Sequence, residues 1–256
     1  MMKEKYRLGV VSVSFRKYTP EEIIIAARDA QLSFIEWGSD IHAPHGDRAR
    51  LCRIADFQKE YGISTSSYGT YFRLGESPLQ ELYSYIESAK LLGTDTLRLW
   101  CGSKSGADMT EKEKDALFLE CQRAKEIAEE CKVKLCMECH RSTFTERRED
   151  AVRLMKEMAS PHIRMYWQPF QWQSVEENIK NAEAISPYAL HLHVFNWKGE
   201  KKLPLADATD EWRAYLEKFD TPRTLLLEFM PGDTIGELTA EADSLKKIIE
   251  CIRACS

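Results

Sequence analysis

Glu138, in KLCMECH (134–140), and Glu228, in TLLLEFM (224–230), are single carboxylates inside runs that otherwise read as buried strand. A carboxylate in such a setting is costly enough that it takes up a proton or recruits a cation. Gln168 in IRMYWQP and His193 in ALHLHVFNW hold comparable late positions in apolar runs. Oxygen and nitrogen donors from four separate segments suit one divalent ion, provided the fold sets the segments side by side. Each residue alone has a plainer reading. A strand-end glutamate can pair with an arginine, for which Arg98 in TLRLW is an inward candidate; His193 can be a core histidine and Gln168 a loop cap.

The elements that must position these groups are legible as short apolar, often β-branched runs recurring roughly every 30 residues, the length of a strand plus its crossover helix. The runs are RLGVVSVS, SFIEWG, ISTSSYG, TLRLWCG, VKLCMECH, IRMYWQP, ALHLHVFNW and TLLLEFM. Between them lie amphipathic stretches such as EEIIIAARDA and ELYSYIESAKLLG, the latter closed by Gly93. Hydroxyl-x-x-Glu/Gln capping signals precede many: Thr19 with Glu22, Ser77 with Gln80, Thr110 with Glu113, Thr143 with Glu146, Ser174 with Glu177 and Thr234 with Glu237. Eight such units with no break in composition predict α/β architecture, a single (β/α)8 TIM barrel over residues 1–256. A doubly wound open sheet is the alternative, but no G-x-G-x-x-G follows any strand run.

In a barrel of this kind the strand ends and βα loops form one cup at the C-terminal face. Glu138, Gln168, His193 and Glu228 then close strands five to eight, neighbours about 5 Å apart. Trp37, Tyr68, Tyr71, Trp100 and Trp197 are expected near the same rim, where aromatic rings stack on sugar C–H faces or simply pack the barrel. Glu36, His42, His140 and Gln171 are candidate hydroxyl-binding groups. Lys198, Lys201 and Lys202 after strand seven would meet an anionic substituent or form a solvated turn.

The net charge of −5 provides no overall basic field for nucleic acid. No apolar stretch is long enough to span a bilayer, and the N-terminal run is broken by serines with no small-residue cleavage site. Eight cysteines without an export signal read as reduced thiols in a cytoplasmic protein. Cys131, Cys136 and Cys139 match the start of an iron–sulfur spacing, but Cys136 and Cys139 on one strand would face opposite ways. Cys251 and Cys255 sit one helical turn apart and read as packing residues.

Taken together, FIEWGSDIHAP, EYGISTSSYGTYFRL, LRLWCG, CMECH, YWQPFQW, HLHVFNWKGEKKLPL with EWRAYLEKF, and LLLEFMPGD resemble the xylose isomerase-like TIM barrel superfamily. That group includes sugar phosphate isomerases/epimerases, ketose 3-epimerases and AP endonuclease family 2-like proteins. The resemblance implies a divalent metal (Mn, Mg, Co or Zn) held by Glu138, Gln168, His193 and Glu228. It also implies a sugar or sugar phosphate substrate and isomerase or epimerase chemistry, with Glu138 and Glu228 as the proton-transfer pair on either side of the reacting carbon. The sixth strand departs from the family pattern: the usual D-x-x-H reads Q-P-F-Q, Gln168 to Gln171. An amide oxygen coordinates Mg²⁺ or Mn²⁺ but adds no charge, which weakens the site. Two other functions stay open, a polyol-binding barrel without turnover and an apurinic endonuclease. The latter would need several metals and more His and Asp ligands than this rim has. No membrane or nucleic-acid partner is expected, and association with further copies of the chain is left open.

Overall fold

The computed structural model describes residues 6–220 and 223–254. In chain order it runs β1 (Tyr6–Val11), α1 (Pro20–Asp29), β2 (Phe34–Gly38), α2 (Arg48–Glu60), β3 (Ser64–Leu74), α3 (Glu81–Leu91), β4 (Thr96–Cys101) and α4 (Glu111–Cys131). The second half continues with β5 (Lys134–Glu138), α5 (Arg148–Met158), β6 (Ile163–Trp167), α6 (Val175–Ile185), β7 (Ala189–Val194), a small hairpin of β8 (Trp197–Lys198) and β9 (Lys201–Lys202), α7 (Thr209–Leu216), β10 (Arg223–Leu227) and α8 (Leu238–Ala254). The eight long strands close as β1-β10-β7-β6-β5-β4-β3-β2, and every barrel pairing is parallel. The barrel is the (β/α)8 TIM barrel expected from the eight runs.

Strand periodicity divides the core into two bodies. Outward residues pack under the helices in one large cluster, including Val10, Ile35, Trp37, Leu97, Leu135 and Leu225. Inward residues form a smaller plug of Val11, Val13, Cys136, Tyr166 and Leu226. Cys136 lies in the plug and Cys139 in the outer cluster, so the two thiols do face opposite ways. The described cysteines carry no disulfide, and Cys255 lies outside the described residues.

Capping follows local chemistry where the residue geometry allows. Thr19 with Glu22 and Thr110 with Glu113 form reciprocal capping boxes, and Ser174 Oγ accepts from the Glu177 N–H. The other three signals act differently. Ser77 Oγ accepts from the Arg73 N–H instead of opening α3. Glu146 accepts from the Ser142 N–H inside a short 3₁₀ turn. Thr234 precedes another 3₁₀ turn rather than α8 itself. In the first two the loop takes the hydroxyl or carboxylate before the helix does, a competition these side chains are prone to.

Candidate active site

Glu138 is the last residue of β5, and its backbone carbonyl accepts a hydrogen bond from Thr145 Oγ1 at 2.5 Å, which fixes the strand end. Glu228 follows β10 directly, and its N–H donates to Val194 O at 2.9 Å. The chain then turns sharply: Phe229 has φ of 50°, a costly conformation for a bulky residue, held by donation of its N–H to Ser14 Oγ at 2.9 Å. Gln168 follows β6 and donates from Nε2 to Cys139 O at 3.0 Å, leaving its oxygen free to face the barrel axis.

These groups meet at one atom. His193 Nδ1 lies 3.2 Å from Gln168 Oε1, 3.4 Å from Glu138 Oε1 and 3.4 Å from Glu228 Oε2. The opposite ring nitrogen, Nε2, lies 3.4 Å from Glu36 Oε2. Beneath them Arg98 links two strands: Nε donates to Glu36 Oε1 at 2.9 Å and NH1 to Glu138 Oε2 at 2.7 Å. Ser67 Oγ adds a bond to Glu36 at 3.1 Å, and Trp100 Nε1 a bond to Glu138 Oε2 at 2.6 Å. Gly69 makes room for this floor, since a Cβ there would come within 2.7 Å of Glu36 Oε1 and 2.9 Å of Arg98 NH2.

Burial and charge pull in opposite directions throughout. Burial alone would raise Glu36, but Arg98 and His193 bring it down to about 2. Glu138 is likewise lowered despite burial, chiefly by Arg98 and then His193. Among the described residues Glu228 has no arginine in contact, and burial with the neighbouring Glu138 carries it up to about 7 against the pull of His193. Burial would lower His193, yet Glu228, Glu36 and Glu138 raise it to about 10. Among the described residues, protonated His193 and Arg98 together balance Glu36 and Glu138, and Glu228 is the carboxylate left without a cation of its own.

Above lies a cavity of about 350 Å³ lined by Glu138, Gln168 and Glu228 at its base and by Tyr71, Trp100, His140, Gln171 and Trp197 on its walls. Other expected residues lie elsewhere. Trp37 and Tyr68 alternate with inward Glu36 and Ser67, so they point out under the helices; Trp37 donates to Gln58 at 3.0 Å and Tyr68 to Ala43 O at 2.5 Å. His42 is fully buried, its Nε2 3.2 Å from both Phe15 O and Tyr18 O, so it ties loop backbone instead of facing the cup. Glu36 is also fully buried, supporting His193 from below the cavity and not lining it. Lys198 pairs with Glu211 and Lys202 with Asp233.

The cup also contains residues the sequence reading passed over. Phe170, Phe195 and Phe229 line it, each within two residues of a strand-end candidate, a positional signal that was available. Arg16 and Tyr71 form a rim cluster with Asp40: Arg16 donates to Asp40 at 2.9 Å and to Tyr71 at 2.7 Å, and Tyr71 to Asp40 at 3.0 Å. Arg141, stacked over Trp172 at 5.2 Å, lines the cavity on the same side as His140.

A closed parallel barrel whose ionisable residues gather at the C-terminal strand ends defines a TIM-barrel protein. Residues 24–255 match the family described as xylose isomerase-like TIM barrel, and the chain belongs to it. Solved structures of the same fold include the probable 3-DHS dehydratase AsbF involved in petrobactin synthesis from Bacillus anthracis, 17% identical over 94% of this chain and 98% of that one, TM-score 0.77. An L-ribulose 3-epimerase is 12% identical over 97% and 96%, TM-score 0.74. A xylose isomerase-like TIM barrel protein from Mycobacterium smegmatis in complex with magnesium is 12% identical over 96% and 97%, TM-score 0.71. No curated protein matches the sequence.

Proposed function

We propose that the chain is a sugar or sugar phosphate isomerase or epimerase that moves a proton at the carbon beside a carbonyl, with Glu138 and Glu228 as the transfer pair. The observation that carries this reading is the meeting of the two carboxylates at one imidazole nitrogen, each 3.4 Å from His193 Nδ1, at the base of the cup. They come from β5 and from the end of β10, which β6 and β7 separate, so they approach a molecule in the cup from different sides. Glu138 is clamped by Arg98 and Trp100 in its ionised form, as a proton acceptor must be. Among the described residues Glu228 meets only His193, so it is less firmly committed to charge and suits the returning step. Trp100, Trp197 and Tyr71 provide apolar faces that hold a ring and keep water out.

The donor set suits a divalent metal. Glu138, Gln168, His193 and Glu228 would hold it, since their oxygens gather 3.2–3.4 Å from His193 Nδ1 and all four are oxygen or nitrogen donors. Loss of the His193 proton to an incoming ion would leave Glu36, Glu138 and Glu228 opposed by Arg98, a net charge of the size one divalent ion neutralises. Among the described residues no three His, Cys, Asp or Glu side chains stand in a geometry that could hold a metal ion, so binding requires these side chains to rearrange. When bound, the ion would polarise a carbonyl and stabilise negative charge on its oxygen. Glu36 would keep His193 in the useful tautomer by accepting from Nε2–H, leaving Nδ1 unprotonated.

Purified protein is to be assayed on ketoses, aldoses and their phosphates before chelation, after it, and after return of Mn²⁺, Mg²⁺, Co²⁺ or Zn²⁺. Exchange of substrate C–H into deuterated water serves as a second readout. Turnover and exchange should vanish on chelation and return with one of the ions. Glu228→Gln should lower both by about 10² to 10⁴ with circular dichroism unchanged. Full turnover in that variant removes Glu228 from the mechanism.

One alternative has an observation of its own. Arg98 already pairs with both Glu36 and Glu138, which fits a barrel that binds a polyol without turning it over. Polyol binding without stoichiometric metal and without C–H exchange would select that reading.

A further inference from the structure

The opposite end of the barrel is also open and polar. Strand parity puts Arg7, Lys134, His191 and Thr224 on the inward face below the plug, since they share faces with Val11, Cys136, His193 and Leu226. The register makes three of them neighbours: Arg7 stands opposite Thr224, and Thr224 opposite His191. A cavity of about 510 Å³ opens there, at the N-terminal strand ends.

Its charge is one-sided. Among the described residues Arg7, Lys90 and Lys134 line it against a single acid, Asp95, which is taken up by Lys134. Arg7 is steadied by the Phe34 ring, 5.2 Å from its guanidinium carbon. On the inner wall His191 is 3% exposed and Thr224 fully buried, yet among the described residues neither imidazole nitrogen nor the threonine hydroxyl has a hydrogen-bond partner. A buried polar group left unpaired costs about 1–3 kcal/mol, so two on one wall are a standing cost to the fold. Nothing in the chemistry of the cup uses them.

We infer that the N-terminal mouth of the barrel is a second binding site, for a phosphate-like oxyanion. The ligand would neutralise Arg7 and Lys90 and accept from the Thr224 hydroxyl and a ring N–H of His191. Three cations, two unpaired donors and one already paired acid favour an acceptor-rich anion over a neutral polyol or a cation. Free phosphate and the phosphate of a metabolite share this chemistry. The site would be structural or regulatory, because it lies at the far end of the strands from Glu138 and Glu228.

The test is thermal unfolding and isothermal titration with inorganic phosphate against chloride at matched ionic strength. The protein as isolated is compared with Arg7→Gln, Thr224→Val and Glu228→Gln. Saturable binding is expected, weakened at least tenfold in Arg7→Gln and Thr224→Val and unchanged in Glu228→Gln. Glucose 6-phosphate added afterwards separates the two sources: competition at lower concentration than phosphate favours a metabolite, equal or weaker competition free phosphate. Non-saturable stabilisation, an equal effect of chloride, or binding indifferent to both lower-mouth variants overturns the inference. Binding lost only in Glu228→Gln would place the phosphate in the cup and overturn it as well. None of these outcomes depends on turnover, so this site and the proposed isomerase chemistry stand or fall separately.

Discussion

The Arg98 guanidinium donates to Glu138 at 2.7 Å and with its other edge to Glu36 at 2.9 Å, all three side chains at least nine-tenths buried. One cation thus holds two carboxylates from strands on either side of β3 and β4, and Gly69 keeps the space between them clear. The plain pairing that competes with metal binding in the sequence is present. It leaves Glu138 Oε1 and the whole of Glu228 facing His193.

Arg98→Met removes the cation and leaves both carboxylates buried. Breaking a buried pair in this way costs about 3–5 kcal/mol. Chemical denaturation at neutral pH should show a loss of that order, and adding Glu36→Gln to the variant should recover part of it. Stability unchanged in Arg98→Met would mean that the carboxylates find another partner.

Trp100 has a narrower task. Its Nε1–H donates to Glu138 Oε2 at 2.6 Å while its ring stands edge-on to Tyr71 at 5.4 Å. Trp100→Phe keeps a ring and deletes the donor. Hydrogen bonds to charged groups contribute about 1.5–3 kcal/mol, so kcat should fall by roughly ten- to a hundredfold. KM for a ketose should change much less, whereas a role limited to stacking would raise KM and spare kcat.

The barrel was legible because each strand writes itself as a short apolar run, and Glu138, Gln168, His193 and Glu228 were legible because a polar residue ending such a run has few places to go but the cup. Parity within a strand was harder. Trp37 and Tyr68 sit beside Glu36 and Ser67, and a shift by one residue separates the cup from the layer beneath the helices. β2 and β3 also slip in register between Ile35 and Glu36, an irregularity no periodicity reveals. His42 shows a second limit: a histidine in a loop looks exposed in sequence, but here the loop folds over it and offers two carbonyls. Arg16, Asp40 and Tyr71 converge from three different segments, and no local pattern announces that.

Glu241 carries a pH signature away from the cup. It is buried in the first turn of α8 and accepts from the Leu205 N–H at 3.1–3.2 Å. Burial raises its pKa above the ordinary carboxylate value, with Glu237 and Asp207 adding to the effect. The folded protein therefore keeps a proton that the unfolded chain has released, and Glu241 lowers stability progressively as pH climbs from about 4 through its raised value. Glu241→Gln retains the acceptor and removes the charge. Its stability relative to the parent should be flat below about pH 4 and rise toward pH 8; a constant difference across the range would show that Glu241 titrates normally.

Gln168 tests the proposed metal site from the other direction. Its Oε1 lies 3.2 Å from His193 Nδ1, beside both glutamates, but brings no charge to the donor set. Gln168→Asp restores the charge that the family resemblance leads one to expect on this strand, at the cost of the amide bond to Cys139 O. A full negative charge next to a divalent ion in a partly dehydrated cup strengthens binding by at least about 1.4 kcal/mol, a tenfold change in Kd. Titration of chelated protein with Mn²⁺, followed by calorimetry or by the paramagnetic relaxation of water, should give a Kd at least tenfold lower for the variant. In the absence of metal the same substitution adds a fourth carboxylate to the floor and should lower Tm, so the variant ought to be less stable than the parent when chelated and closer to it when loaded. Equal Kd values with equal Tm shifts would mean that Gln168 stands outside the metal's reach, and the donor set would shrink to Glu138, His193 and Glu228.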